Sequence, residues 1–348
     1  MKTTYFLLCW SIAITGLCAQ IKALSVDQLP LGDLQPQTRT HYLLKMGEEG
    51  TGQAIETPVI VIRGRKAEPV LGIFAAIHGN EINGIQVIQK LVNEIDPQKF
   101  EGTLIAVPGL NVPALLSHQR KYLDQVDLNR IFPGKANGNR SQQYVHQITT
   151  KLLPPLDYLI DLHTASFGRE NSLYVRGDMS DDKIAQLVNY QFADIYLNSA
   201  GPSAGTAGSG GLTMRAQAMK MGIPTITVEY GNPQVFQKEM ISEGLLGLKN
   251  TLREMKMYAF PKVKPRTPVY CSKSYWLYTT KGGYLEVLVK LKQQVKKDEA
   301  IAVLRDPFGQ TKETYHAPED GIVIGRSSNP ISDSGGRIIH LGILKKGN

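Results

Sequence analysis

Val70-Leu-Gly-Ile-Phe-Ala-Ala-Ile77 runs straight into His78-Gly-Asn-Glu81, and from there into an amphipathic stretch from Ile82 to Ile95. A nearly unbroken apolar run of this length reads as a strand covered on both faces. The periodic stretch after it reads as a helix with one buried side. The corner between them carries an imidazole and a carboxylate three residues apart, two ligands that can close on one Zn²⁺.

The same alternation recurs along the chain. Strands are expected at Pro58–Arg63, Thr103–Pro108, Tyr158–His163, Leu173–Arg176 and Thr225–Tyr230. Helices are expected at Ile82–Ile95, Ser141–Leu153, Asp181–Leu197, Thr213–Met221 and Gln234–Tyr258. Strand–helix alternation predicts an α/β sheet with helices on both faces, in which ligands gather at the carboxyl ends of the strands. His78, His163 and Glu229 each fall at or just past such an end.

After the last long helix, Pro261, Pro265 and Pro268 crowd a short stretch that no helix can cross, which places a linker at 258–268. Short alternating strands follow at Tyr284–Lys290, Ala300–Leu304, Gly321–Gly325 and Arg337–Ile343, the pattern of a small β domain over 269–348. At the other end, Lys2 precedes the mostly apolar Tyr5 to Leu17, and Gly16-Leu-Cys18-Ala19 offers small residues for cleavage. Residues 1–19 therefore read as a signal peptide, the catalytic domain as 20–257, and the protein as periplasmic or secreted. A retained anchor and a lipidated Cys18 are the alternatives, the latter disfavoured by Leu17 just before it. Cys271 is then the one cysteine outside the signal, so no internal disulfide forms and a metal must be held by His and carboxylate.

The net charge of +8 sits mainly between Lys249 and Arg305, where 13 Lys and Arg face 4 Asp and Glu. That surface suits acidic envelope material or plain solvation. The exported address argues against nucleic acid, despite the tyrosines and Trp276 among those lysines. Gly201-Pro-Ser-Ala-Gly-Thr-Ala-Gly-Ser-Gly-Gly211 lacks a following Gly-Lys-Ser/Thr and reads as a flexible loop bordering a pocket, not a phosphate cradle.

Three further stretches carry chemistry. In Tyr158-Leu-Ile-Asp161-Leu-His163-Thr164, alternation puts Asp161 and His163 on one face. Alone, His163 reads as a hydrogen-bonded core histidine. With His78 and Glu81 it completes a two-His, one-carboxylate set that leaves a fourth position for water. Arg120 and Asp127-Leu-Asn129-Arg130 supply guanidinium forks suited to a carboxylate or a scissile carbonyl, or else a surface salt-bridge cluster. Asp127 is a natural acceptor behind a metal-bound histidine. In Thr225-Ile-Thr-Val-Glu229-Tyr230-Gly231, Glu229 is placed either as a proton carrier or in a buried ion pair.

His78-Gly-Asn-Glu81, Asp127-Leu-Asn-Arg130-Ile-Phe-Pro-Gly134, Asp161-Leu-His163-Thr164 and Val228-Glu229-Tyr-Gly231 together resemble the succinylglutamate desuccinylase/aspartoacylase family of the zinc carboxypeptidase superfamily. The likeness spans roughly 56–257 and, more loosely, the tail. It implies a zinc-carboxypeptidase-like mixed sheet and one Zn²⁺ held by His78, Glu81 and His163. It also implies Glu229 as general base and acid, Arg120 polarising the carbonyl, Asn129 and Arg130 holding a substrate carboxylate, and Asp127 behind His78. The tail's Ala317-Pro-Glu-Asp320-Gly321 resembles the corner of a barrel-sandwich domain, but no carrier-type lysine triplet is present, so no attached cofactor is expected. The expected activity is amide hydrolysis next to a carboxylate-bearing group of a small N-acyl amino acid or short peptide. A peptide or muropeptide carboxypeptidase, and a non-catalytic envelope-binding protein, are the competing readings.

Overall fold

A computed structural model describes residues 22–199, 211–264 and 266–345. The signal segment, nearly all of the glycine-rich stretch and Pro265 lie outside the described residues. The strands of the first part are β1 (Leu24–Val26), β2 (Thr38–Glu48), β3 (Ala54–Arg63), β4 (Val70–Ala75), β5 (Thr103–Val107), β6 (Tyr158–His163), β7 (Arg169–Asn171), β8 (Leu173–Gly177), β9 (Ile195–Asn198) and β10 (Thr225–Tyr230). The tail adds β11 (Val269–Tyr278), β12 (Gly283–Val287), β13 (Gln294–Val295), β14 (Ala300–Arg305), β15 (Thr311–His316), β16 (Gly321–Ser327), β17 (Ile331–Ser332) and β18 (Arg337–Leu344). The α-helices are α1 (Asn83–Glu94), α2 (Val112–Leu116), α3 (Arg140–Gln147), α4 (Asp182–Asn189), α5 (Met214–Lys220) and α6 (Lys238–Glu254).

One mixed sheet runs β1-β2-β3-β5-β4-β6-β10-β8-β9-β11-β18-β16-β13. Its centre is parallel, β5-β4-β6-β10, and β8 lies antiparallel to β10. Alternation along these strands sorts the side chains. Ile160, Leu162, Ile226 and Val228 enter a core shared with α1, α4 and α6, whereas Leu159 and Phe74 enter one shared with α3 and α5. Helices therefore cover both faces. In α1 the buried Val87, Ile88, Leu91 and Val92 form one stripe, each worth about 1.5–3 kcal/mol of transfer free energy. The helix ends where Ile95 turns extended, ahead of Asp96-Pro97. Gly84 lets α1 settle onto the sheet, since a Cβ there would lie 2.8 Å from Leu162 Cβ.

Two expectations need correction. The run Asp181–Leu197 is not one helix: α4 stops at Asn189, and Ile195–Asn198 is a strand pairing β8 and β11. Phe192 adopts a left-handed backbone (φ 53°), which ends helical continuity, and its apolar successors join the sheet. The run Ser141–Leu153 is α-helical only to Gln147 and continues as a π-turn over Ile148–Leu152.

Residues 258–268 carry neither helix nor strand at their described positions. Beyond them β11 pairs with β9 in parallel and with β18 antiparallel, so the large sheet continues into the tail. A second sheet, β15-β14-β12-β17, packs over it. Leu285, Ile301 and Leu304 of this sheet meet Val323, Ile339 and Leu341 of the large one, giving the tail its own two-layer, barrel-sandwich-like core.

Candidate active site

The site forms where β4, β6 and β10 end. Ala76 takes a left-handed conformation (φ 61°), which turns the chain out of β4. A non-glycine residue persists there only when its surroundings hold it. Leu110 N donates to Ala75 O (2.9 Å), Asn111 N to Ala76 O (3.0 Å) and Asn111 Nδ2 to Ile77 O (3.0 Å), so the corner is pinned from the neighbouring loop. Gly79 is needed at this corner because a Cβ would lie 2.1 Å from the Ala114 carbonyl carbon.

His78 and Glu81 meet His163 across β4–β6. Each of the three residues offers a ligand atom within 4.8 Å of the others, and all three are buried. His78 Nε2 donates to Asp127 Oδ1 (3.1 Å), and His163 Nε2 donates to Asp161 Oδ2 (2.8 Å). Both imidazoles thus turn Nδ1 toward Glu81. His163 Nδ1 lies 2.8 Å from Glu81 Oε2. His78 Nδ1 lies 3.0 Å from Glu81 Oε1 without hydrogen-bond geometry, so among the described residues this buried nitrogen has no hydrogen-bond partner. Two nitrogens and a carboxylate, each imidazole backed by a second carboxylate, fit a divalent zinc.

Burial pushes the Glu81 carboxyl up, but His78, Arg120 and the hydrogen bond from His163 outweigh it and hold the group well below the usual carboxylate range. Burial pushes His163 down, yet Asp161 and Glu81 outweigh it and carry the imidazole up to about 10. Without metal, His163 therefore keeps a proton that an entering cation must displace.

Arg120 donates from Nη1 to Glu81 Oε1 (2.6 Å) and from Nε and Nη2 to Asp127 Oδ2 (3.2 and 3.1 Å). It thus ties a ligand carboxylate to the carboxylate behind His78 while still facing the cavity. Asn129 Oδ1 accepts from Met214 N (2.7 Å) at the start of α5, so its Nδ2 is the end left to donate. Arg130 Nη1 donates to Asn129 O (2.7 Å), and both residues line the cavity.

Glu229 sits in register beside His163 on the parallel β10–β6 pair, one strand spacing away at about 4.8 Å. Asn171 Nδ2 donates to its Oε2 (3.0 Å) and Arg176 Nη2 to its Oε1. The surrounding cavity, about 400 Å³, is lined by six arginines (Arg120, Arg130, Arg169, Arg176, Arg215, Arg337) against three carboxylates (Glu81, Asp161, Glu229). Ser274, Tyr275, Trp276, Tyr278, Arg337 and His340 make its far wall, all from β11 and β18 of the tail.

A family model described as the succinylglutamate desuccinylase/aspartoacylase catalytic domain matches residues 67–255. The chain belongs to this family. N-alpha-acetyl-L-2,4-diaminobutyric acid deacetylase from Halomonas elongata is 24% identical over 310 residues, covering 84% of this chain and 88% of that protein. The product-bound ectoine utilization protein EutE (DoeB) from Ruegeria pomeroyi shares the fold with a TM-score of 0.79 at 21% identity, covering 88% of this chain and 95% of that one. A succinylglutamate desuccinylase/aspartoacylase from Rhodobacter sphaeroides has a TM-score of 0.79 at 19% identity, over 90% and 98% of the two chains.

Sequence reasoning missed several residues of this family member's site. Asp161 went unassigned as the partner of His163, although its i, i+2 position on the strand pointed there. Arg176, Asn171 and Arg169 carry no ligand-type spacing; Ser274, Tyr275, Trp276 and Tyr278 lay in what read as a solvated basic surface, and Arg337 and His340 on a tail strand with no site reading. Asp161→Asn should lower zinc affinity about 10- to 100-fold, the usual worth of such an outer partner. Competition with a fluorescent chelator checks this, and unchanged affinity would remove Asp161 from the site.

His340 gives a pH prediction. Its Nε2 pairs with Ser274 Oγ (2.8 Å), and its ring stacks on Trp276 at 5.1 Å and 11°. Burial, then Arg176 and Arg169, push its pKa down to about 3. The folded value lies below the unfolded one of about 6.5, so the fold loses stability as pH falls from there toward 3. Between pH 7 and 5 the wild type should lose about 2 kcal/mol more than His340→Phe, which stacks but cannot titrate. Urea unfolding at the two pH values measures the difference, and equal losses would contradict this account.

Proposed function

We propose that this protein is an exported, zinc-dependent amidohydrolase that cleaves an amide next to a carboxylate-bearing group of a small N-acyl amino acid. One observation carries the reading: two histidines and Glu81 converge with a carboxylate behind each imidazole, and Glu229 sits in register beside them. Family membership supports hydrolysis of this class. So does a relative named for deacetylating N-alpha-acetyl-L-2,4-diaminobutyric acid.

Zinc held by His78, Glu81 and His163 would supply Lewis acidity and lower the pKa of a water to about 7. Glu229, fixed at both oxygens by Asn171 and Arg176, takes a proton from water and returns it to the leaving nitrogen. Arg120 faces the carbonyl and stabilises the charge that develops on its oxygen, a contribution worth about 2.7–4 kcal/mol in comparable sites. Asn129 Nδ2 and Arg130 hold the substrate carboxylate and fix the amide against Glu229.

The test is a panel of N-acyl amino acids, their carboxamides and short peptides, incubated with the zinc-loaded mature chain and read by mass spectrometry. Free amino acid should appear from N-acyl amino acids and hardly at all from their carboxamides. Hydrolysis confined to peptides would favour the carboxypeptidase reading instead. No hydrolysis by metal-loaded protein would favour a binding role.

A further inference from the structure

β7 belongs to the catalytic half of the chain by sequence and to the tail by pairing. Among the described residues its only strand partner is β16, with Asn171 opposite Gly325 and Arg169 opposite Ser327. The register is fixed at both ends. Ser328 N donates to Gly168 O (2.9 Å), and Ser172 N and Oγ donate to Ile324 O (2.9 and 2.8 Å). Between them Arg326 Nε donates to Glu170 Oε2 (2.8 Å). β16 is bulged at this point: its register against β18 shifts between Val323 and Gly325, so Ile324 has no opposite number on β18. Bulges of this kind re-aim a strand beside a functional site.

Asn171 is where this pairing reaches the catalytic centre. It is buried, and its Nδ2 donates to Glu229 Oε2 (3.0 Å). The other oxygen of Glu229 is held from within the catalytic half, by Arg176 of β8. The Asn171 amide fits because residue 325 is glycine. A Cβ there would lie 2.5 Å from Asn171 Oδ1 and 3.1 Å from Glu170 O. The first distance is closer than a Cβ approaches an oxygen, so a side chain at 325 must push the amide aside. A hydrogen bond to a carboxylate is about twice as strong as one between neutral groups, so its loss frees Glu229 to turn.

We infer that Gly325 and Asn171 are positioning residues: the tail strand β16 seats the Asn171 amide, and through it aims the Glu229 carboxylate into the cavity. With Glu229 as the proton carrier proposed above, the C-terminal part acts on the chemical step as well as walling the cavity. It sets how fast bound substrate reacts, not how tightly substrate is held.

The experiment compares wild type with Asn171→Ala, Gly325→Ala, the double variant and a control, Gly282→Ala, all zinc-loaded. The substrate is the N-acyl amino acid of the panel above that wild type hydrolyses fastest. Gly282 also lies in the tail, but a Cβ there meets nothing closer than 3.4 Å. Asn171→Ala and Gly325→Ala should each lower kcat by about 10- to 100-fold, with KM within about twofold. The two losses should not multiply. Once the amide is gone, a methyl at 325 has nothing to displace, and the double variant should match Asn171→Ala. Gly282→Ala should behave as wild type. A crystal structure of Gly325→Ala reads the same link without turnover. It should show Asn171 Nδ2 out of hydrogen-bond distance of Glu229, with the β7–β16 pairing kept. If Gly325→Ala folds poorly, Asn171→Ala, which only creates space, still carries the test. A kcat within about threefold of wild type in Asn171→Ala, or losses that multiply in the double variant, overturns the inference. So does an amide still bound to Glu229 in the Gly325→Ala crystal. Full kcat in Glu229→Gln would instead sink the proton-carrier reading, and the crystal structure would still decide whether the tail seats Asn171.

Discussion

Glu229→Gln should leave zinc bound at one equivalent and lower kcat by about 10²- to 10⁴-fold, the usual worth of a positioned general base. The substitution is nearly isosteric. Glutamine can still accept from Arg176 on its carbonyl oxygen, so the wall of the pocket should stay in place. The amide cannot take a proton from water, and the variant should fail at that step alone. Because Glu229 belongs to β10 and not to the metal set, metal content and turnover should part company. A kcat within threefold of wild type in a zinc-loaded, folded variant would exclude Glu229 as the proton carrier. The surviving reading of its contact with Arg176 would then be a structural ion pair.

His78→Ala should do the opposite and remove the metal itself. One of three donors disappears, and Asp127 and Arg120 lose the imidazole they help to orient. Zinc affinity should fall by more than about 100-fold, the upper range seen for merely outer partners. Chelation of the wild type should likewise abolish turnover, and one equivalent of zinc should restore it. Metal analysis of the purified variant, with titration calorimetry, makes the measurement. Stoichiometric tight binding without this imidazole would mean that the donors lie elsewhere. Circular dichroism at the same time separates metal loss from unfolding, a needed control because Glu81 and His163 are buried.

Much of this centre could be read from the chain because alternation along a strand is strict. Asp161 and His163 had to share a face of β6, and Thr227 and Glu229 a face of β10, once their apolar neighbours were assigned to the core. His78 and Glu81 followed from the strand-to-helix corner. What escaped were features set by pairing between distant segments. β2 and β11 are mixed in polarity and gave no clear strand signal, yet both are integral to the large sheet. The strand β9 was hidden because its apolar residues continue the periodic pattern of α4 with no proline or glycine between them. Arg169, Asn171 and Arg176 were given no individual role for a related reason: only tertiary pairing brings β7 and β8 to the pocket, and a lone arginine in a strand has no local signature.

The unbroken sheet has a practical consequence. Cutting the chain near 268 would strip β9 of its neighbour β11 and leave a raw hydrogen-bonding edge of apolar residues, an invitation to stick to other copies. The C-terminal part is therefore a poor cassette for swapping between relatives, because any graft must match strand register at the seam as well as surface shape. Swinging the whole wall aside would tear a ladder of main-chain bonds, which fixes the tail's face of the cavity to the catalytic half.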